Sequence, residues 1–182
     1  MRIIAGEWRG RPIVAPKGDT TRPTADRTRE ALFSMLTSRI GSFEGMMVAD
    51  LFAGSGALGL EALSRGAAHC MFAEQDKAAL DALKANIAKF GAGPRSKIAA
   101  QSVLSLGPVT SPCDVILMDP PYHIGAGAVA LDKLARLGWI GPATWVSIET
   151  ARDETIDVAG FTADTVRDIG KARLHLFQRK AA

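Results

Sequence analysis

MMVADLFAGSGALG, from Met46 to Gly59, is an apolar run that ends in an acid, then a turn with two glycines, then the start of a helical pattern. This order predicts a β-strand, a tight turn and a helix. The glycines at positions 54 and 56 allow backbone angles and a close ligand approach that a Cβ would block. In open α/β sheets, turns of this kind at the carboxyl ends of parallel strands bind nucleotide-like ligands.

The composition is that of one globular domain. The chain has 182 residues, of which 47% are hydrophobic and 23% are charged, enough to bury a sizeable core. Cys70 and Cys113 stand far apart in apolar runs, so we expect reduced, buried thiols. There is no leader-like segment, no apolar run of membrane-spanning length and no zinc-ligand spacing. We therefore expect a cytoplasmic monomer that uses neither a metal nor a membrane.

The positive charge is concentrated at the two ends of the chain. The net charge is only +3, yet residues 1–29 contain seven basic side chains against three acidic ones. Residues 167–180 contain five basic side chains, opposed only by Asp168. Two basic ends on one domain favour a polyanionic partner such as nucleic acid. A solvated charged face is the alternative for the first segment.

Apolar periodicity divides the rest of the chain into alternating strands and helices. We expect strands at residues 48–52, 70–73, 98–100, 115–118 and 145–148, and helices at 24–40, 58–65, 77–90 and 128–137. Residues 166–169 and 172–178 predict an antiparallel hairpin at the end of the chain. Residues 2–6 and 11–14 predict a second, N-terminal hairpin. This order predicts a three-layer α/β domain at 23–182 with a mostly parallel sheet, preceded by a basic extension at 1–22.

The glycine turn fits two classes of ligand. Residues 54–59 match the dinucleotide pattern G-x-G-x-x-G, and Glu74 follows Gly54 by 20 residues. Asp50, four residues before Gly54, would repel a pyrophosphate at this turn. S-adenosylmethionine has no phosphate, and its sulfonium and ammonium groups would be attracted by Asp50, while Glu74 would accept both ribose hydroxyls. The alternatives are that Asp50 caps amides of its own turn and that Glu74 is a solvated acid.

A second motif, Asp119-Pro120-Pro121-Tyr122, follows the strand predicted at 115–118. The amine of a nucleobase is a poor nucleophile because its lone pair is delocalised into the ring. The carboxylate of Asp119 and the carbonyl of Pro120 could accept both amine hydrogens and direct the nitrogen toward a methyl donor. The prolines stiffen the loop, and Tyr122 offers a face on which an extruded base can stack. A plain Asp-Pro turn is the alternative.

Together these motifs resemble a known family. The segments RIIAG at 2–6, RPTADRTRE at 22–30, residues 50–65 and LFQR at 176–179 are similar to the RsmD family, the bacterial 16S ribosomal RNA guanine-N2 methyltransferases. The resemblance implies a Rossmann-like class I methyltransferase fold with a seven-stranded sheet. It also implies transfer of a methyl group from S-adenosylmethionine to the exocyclic N2 amine of a guanine, which leaves S-adenosylhomocysteine. The implied partner is 16S rRNA in the assembling or assembled small ribosomal subunit.

The candidate site residues form three sets. The predicted catalytic residues are Asp119, Pro120, Pro121 and Tyr122. The predicted cofactor-binding residues are Asp50, Phe52, Ala53, Gly54, Ser55, Gly56, Glu74, Gln75, Ser102, Val103 and Asp119. Ser102 stands where class I enzymes often have an acid or amide for the adenine amine, and Val103 would pack on the adenine ring. The predicted RNA-binding residues are Arg2, Trp8, Arg9, Arg11, Arg22, Arg27 and Arg29.

Three other functions share some of these features. A DNA adenine-N6 or cytosine-N4 methyltransferase uses the same Asp-Pro-Pro-Tyr chemistry, but this chain has no separate target-recognition domain. A nicotinamide oxidoreductase would use the glycine turn but is disfavoured by Asp50. A non-catalytic RNA-binding module would use the basic segments and would not need Asp119 beside two prolines.

Overall fold

The computed structural model describes residues 1–18 and 23–181. The predicted RNA contact Arg22 lies outside these residues. The helices are α1 (Pro23–Ile40), α2 (Ala57–Ser64), α3 (Lys77–Lys89) and α4 (Ala126–Arg136), with short 3-10 turns at Gly93–Arg95 and Val103–Ser105. The strands are β1 (Met47–Leu51), β2 (His69–Ala73), β3 (Ser96–Ala99), β4 (Cys113–Met118), β5 (Ile140–Ala151), β6 (Phe161–Ile169) and β7 (Ala172–Arg179). In the described part of the chain, no helix is long and apolar enough to cross a membrane.

The seven strands form one sheet in the order β3-β2-β1-β4-β5-β7-β6. The first five strands in this order are parallel, and β7 is antiparallel to both β5 and β6. The predicted three-layer α/β fold with a mostly parallel sheet and a final antiparallel hairpin is therefore confirmed. Because β6 runs in the same direction as β5, the turn between β6 and β7 lies on the same side of the sheet as the carboxyl ends of β1, β4 and β5.

Two strands are longer than the sequence pattern predicts. The fifth strand starts at Ile140 and spans 12 residues. Its first pair with β4, Cys113 with Ile140, is separated from the remaining pairs by a register shift. The sixth strand starts at Phe161. It lies at the sheet edge, where only Phe161 is buried and residues such as Ala163 and Thr165 are half-buried, so its apolar signal is weak.

Apolar side chains pack on both faces of the sheet. One cluster joins α1, α2 and α3 to the sheet through residues such as Leu36, Leu60 and Leu83. The other joins α4 to the opposite face through Leu131 and Ile148. Neighbouring strand residues such as those of β4 alternate between the two clusters, as expected for a sheet covered by helices on both sides.

The N-terminal segment is packed into the first cluster. Ile3, Trp8 and Ile13 are at most 5% exposed and belong to the same apolar core as α1 to α3. The ring of Trp8 stacks on Phe90 with 5.1 Å between ring centroids, and its backbone N–H donates to Ser64. The prediction that Trp8 faces RNA is therefore wrong, because its side chain serves the core.

The predicted N-terminal hairpin is reduced to one antiparallel bridge, between Arg2 and Pro12. Ile4 and Ala5 do not continue this pairing, because their backbone N–H groups donate to the carboxylate of Glu61 in α2 at 2.9 and 3.0 Å. At Ile4 and Ala5, the backbone therefore bonds to α2 instead of to residues 11–14.

The prediction that Arg29 contacts RNA is also wrong. Its side chain is 3% exposed, and its guanidinium donates to the carbonyl of Arg2 and to Asp26. It also lies 3.8 Å from the Glu61 carboxylate. Arg29 therefore fastens the N-terminal segment to α1 and α2.

Candidate active site

The glycine turn between β1 and α2 needs glycine for space as well as for backbone angles. Gly56 has a φ of +86°, and an added Cβ would lie 2.5 Å from Cδ1 of Leu83. A Cβ on Gly59 would lie 2.3 Å from a ring carbon of Phe72. The helix can therefore start close against β2 and α3 only because these positions lack a side chain.

Asp50 is the penultimate residue of β1 and lies beneath this turn. One carboxylate oxygen, Oδ2, accepts the backbone N–H of Gly59 at 2.8 Å, so the side chain does cap its own turn. The other oxygen, Oδ1, is buried and has no hydrogen-bond partner among the described residues. Burial raises the pKa of Asp50 well above its ordinary value, and the charges of Asp119 and Glu74 raise it further. A buried, unpartnered acceptor is unfavourable unless a ligand satisfies it.

Glu74 follows β2 and shapes the turn from the other side. Its Oε2 accepts the N–H of Gly54 at 2.7 Å, and its Oε1 accepts the N–H groups of Gln75 and Asp76 at 2.8 and 2.9 Å. Oε2 thus retains one acceptor position for a hydroxyl. The role of Glu74 toward ribose stays a prediction, and the side chain of Gln75 is exposed.

Phe52 sits between β1 and the first glycine in an unusual conformation. Its φ is +62°, in the left-handed region that non-glycine residues rarely adopt. Such conformations are costly and cluster at ligand sites. Here it allows the chain to leave β1 and enter the glycine turn at once.

A cavity of about 1440 Å³ lies above the carboxyl ends of β1, β4 and β5. Its lining includes Asp50, Phe52, Ala53, Gly54 and Ser55 from the turn, Asp119, Tyr122 and Glu149 from the strand ends, and Arg152, Lys171 and Arg173 at the rim. Seven of the fourteen predicted cofactor and catalytic residues thus share one cavity.

Other predicted residues lie outside that lining. Val103 is buried, and Ser102 caps the 3-10 turn that follows it, with its Oγ accepting the N–H of Leu104 at 3.2 Å. Pro120 and Pro121 line a separate small pocket against the start of α4. The catalytic role of Pro120 and Pro121 stays a prediction. The adenine contact predicted for Ser102 and Val103 stays a prediction.

Asp119 and Tyr122 face the cavity from the loop after β4. Asp119 is exposed to the cavity and forms no hydrogen bond or ion pair within the described residues. Desolvation by the surrounding protein and the charge of Glu149 raise its pKa, although its opening to solvent offsets part of this effect. The hydroxyl of Tyr122 donates to Oε1 of Glu149 at 2.6 Å. Burial and this bond raise the pKa of Tyr122, so Tyr122 remains a neutral donor.

The sequence pattern did not identify Glu149 as a site residue. Its signal is positional: Met118 of β4 is paired with Ile148 of β5, so Asp119 and Glu149 are the next residues on neighbouring parallel strands. The closeness of Glu149 to Asp119 can therefore be inferred only when the register between β4 and β5 is known.

The exposed basic residues of the N-terminal segment differ in their local contacts. Arg11 donates to the carbonyl of Lys89 at 2.9 Å and lies over the ring of Phe90, and Arg2 donates to the carbonyl of Gly10. Arg9 and Arg27 are exposed and make no ion pair within residues 1–18 and 23–181. Among the predicted RNA contacts in the described residues, Arg9 and Arg27 thus take the least part in holding the fold together.

Known proteins with this architecture are methyltransferases. A family model described as Conserved hypothetical protein 95 matches residues 1–178. The ribosomal RNA small subunit methyltransferase D of Escherichia coli K12 is 33% identical over 183 residues, which is 100% of this chain and 91% of that protein. The protein of the same name from Haemophilus influenzae is 37% identical over 160 residues, covering 86% of this chain and 81% of that protein. The chain belongs to the RsmD family.

Solved structures agree with this membership. A putative methyltransferase from Escherichia coli matches with a TM-score of 0.85 at 33% identity, over 100% of this chain and 99% of that one. This member of the RsmD family is therefore a methyltransferase dependent on S-adenosylmethionine. Membership decides against the nicotinamide oxidoreductase and the non-catalytic RNA-binding module.

Proposed function

We propose that this protein transfers a methyl group from S-adenosylmethionine to the exocyclic N2 amine of one guanine in 16S rRNA of the small ribosomal subunit. The observation that carries the proposal is the open carboxylate of Asp119 in the same cavity as the glycine turn. The names of the relatives, ribosomal RNA small subunit methyltransferase D, support the choice of RNA.

The residues around the glycine turn suit the donor. The unpartnered Oδ1 of Asp50 offers a buried acceptor, and a cationic ligand group there would favour the ionised form of this carboxylate. The spare acceptor position on Glu74 suits a ribose hydroxyl, and Phe52 offers an apolar wall. When bound, S-adenosylmethionine supplies an electrophilic methyl group on sulfur.

The residues after β4 suit the acceptor. Asp119 and the carbonyl of Pro120 would accept the two amine hydrogens and hold the nitrogen toward the methyl group. The Tyr122 ring, 39% exposed at the cavity, provides a stacking surface worth about 1–3 kcal/mol per base. The amine nitrogen would take the methyl group, the bonding electrons would stay on sulfur to leave S-adenosylhomocysteine, and one amine proton would pass to water.

The basic N-terminal extension, residues 1–22, is the proposed RNA-facing surface. Arg2, Arg9, Arg11 and Arg27 are exposed on or beside it, and long exposed cations suit contacts with phosphates. We further propose that the enzyme acts in the cytoplasm, as a monomer, on the assembling or assembled small subunit.

The test is mass mapping of the methylated nucleotide in small subunits taken from a strain that lacks this protein. Purified wild-type protein should add one methyl group to the N2 amine of a single guanine. Asp119→Ala should abolish transfer while donor affinity stays within about twofold, because Asp119 holds the amine. Asp132→Ala, in an exposed pair on α4, is the matched control and should keep wild-type turnover.

Two results would contradict the proposal. Full turnover by Asp119→Ala would remove Asp119 from the chemistry. Methylation of duplex DNA in preference to undermethylated subunits would favour the DNA amino-methyltransferase alternative.

A further inference from the structure

Glu149 and Asp119 are placed side by side by the sheet. Parallel strands β4 and β5 pair Met118 with Ile148, and each strand continues into an acid that lines the large cavity. Neighbouring strands lie about 4.8 Å apart. Two carboxylates therefore approach a ligand in this part of the cavity from adjacent positions.

Glu149 is oriented but not neutralised. Its Oε1 accepts the Tyr122 hydroxyl at 2.6 Å, and within the described residues its Oε2 has no hydrogen-bond partner. Neither acid forms an ion pair with a Lys, Arg or His in that part of the chain. Two unneutralised acids side by side repel each other, so a purely structural role would not favour this arrangement. A ligand that presents adjacent hydrogen-bond donors would stabilise both.

Guanine presents such an edge. Its N1–H and its N2 amine are neighbouring donors, whereas adenine and cytosine place an unprotonated ring nitrogen beside their amine. A flipped base is recognised through this edge. We propose that Glu149 accepts the N1–H of the target guanine while Asp119 holds its N2 amine, which makes Glu149 the residue that selects guanine. This inference rests on the proposed function.

The same contact would reject the other amino bases. With adenine or cytosine, the ring-nitrogen lone pair would face the Glu149 carboxylate, and two acceptors would meet without a hydrogen. A site that leaves buried polar groups unpaired discriminates strongly against the wrong substrate. The bond from Tyr122 keeps Glu149 in place, so the motif Asp-Pro-Pro-Tyr contributes to base selection as well as to stacking.

The test replaces the mapped target guanine by 2-aminopurine, which keeps the C2 amine but has an unprotonated N1. Ligated 16S rRNA carrying either base is reconstituted into small subunits, and kcat/KM is measured for each. Wild-type protein should prefer guanine by about 10-fold or more. Glu149→Gln should narrow this preference by about 10-fold or more, because its amide NH₂ can donate to the unprotonated N1.

Glu44→Gln, at an exposed glutamate before β1, is the matched control and should keep the wild-type preference. Donor affinity and melting temperature of Glu149→Gln establish that the variant is folded. A wild-type base preference in Glu149→Gln would overturn the role of Glu149 and leave the proposed function intact. The role of Glu149 would also be overturned, and the proposed function left intact, if Glu149→Gln folds and binds the donor but methylates neither base. Wild-type protein that methylates no guanine would refute the proposed function and the role of Glu149 together.

Discussion

Glu61 joins the N-terminal segment to the domain, and its replacement by Gln should release that segment. The side chain is fully buried. It accepts the N–H groups of Ile4 at 2.9 Å and Ala5 at 3.0 Å, and the Nε–H of Arg65 at 2.9 Å. The guanidinium of Arg29 lies 3.8 Å away.

The cost of the substitution follows from these partners. The Gln oxygen can still accept a hydrogen bond, but the Gln NH₂ would face a donor that Glu61 now satisfies. Arg65 and the buried Arg29 would lose the charge between them. Removing one partner of a buried ion pair costs about 3–5 kcal/mol. A typical domain is stable by about 5–15 kcal/mol, so this is a large fraction.

Urea denaturation and limited trypsin digestion measure the effect. Glu61→Gln should lower the free energy of unfolding by about 3 kcal/mol or more, and trypsin should cleave the segment after Arg9 faster than in the wild type. Binding of small subunits should weaken, while donor affinity should change little. Glu44→Gln, at an exposed site, should change stability by less than about 0.5 kcal/mol. A Glu61→Gln protein with wild-type stability and wild-type protection would refute the anchoring role.

Three further outcomes are expected. Gly59→Ala should lower the free energy of unfolding, measured by urea denaturation, by about 1–3 kcal/mol, because the added Cβ would lie 2.3 Å from a ring carbon of Phe72. Gly93→Ala, at a position with open space, should leave the free energy of unfolding unchanged. Desolvation by the surrounding protein and then the charge of Glu149 raise the pKa of Asp119, so kcat/KM should rise with pH as Asp119 ionises. The stability that protonated Asp119 contributes is complete below its unfolded-state pKa and should be lost as the pH rises through its folded-state pKa. A pH-independent kcat/KM would contradict this role of Asp119. Arg9→Gln should weaken binding to small subunits and should reduce the slope of log K against log salt concentration by about 1 in binding titrations. An unchanged slope would indicate that Arg9 lies on a solvated face that does not contact RNA.

Much of the fold was predictable because its signals are local. The strand, turn and helix from β1 to α2 follow from an apolar run and closely spaced glycines. Asp76 stands directly before the predicted helix and is a residue type that caps helices, and its carboxylate accepts the N–H of Ala79 at 2.9 Å. The order of strands and helices indicated a parallel sheet. Patterns formed by residues close together in sequence can be recognised without any knowledge of tertiary contacts.

The errors concern side chains whose surroundings come from distant parts of the chain. Trp8 and Arg29 lie in a basic segment that resembles an RNA-facing surface, yet Trp8 packs on Phe90 and Arg29 meets Glu61. Charge and aromatic content indicated a partner but could not distinguish an exposed arginine from a buried one. Glu149 was missed because its closeness to Asp119 depends on strand register.

The contacts of the N-terminal segment also constrain the order in which the protein can fold. Trp8 bonds to Ser64, Val14 to Asn86, and Arg11 to Lys89, at separations of 56, 72 and 78 residues. The bond from Gly59 to Asp50 spans only nine. Closing long loops costs more entropy and slows folding. During synthesis, residues 11–14 cannot form these bonds until α3 has left the ribosome, and by then the glycine turn can already have formed.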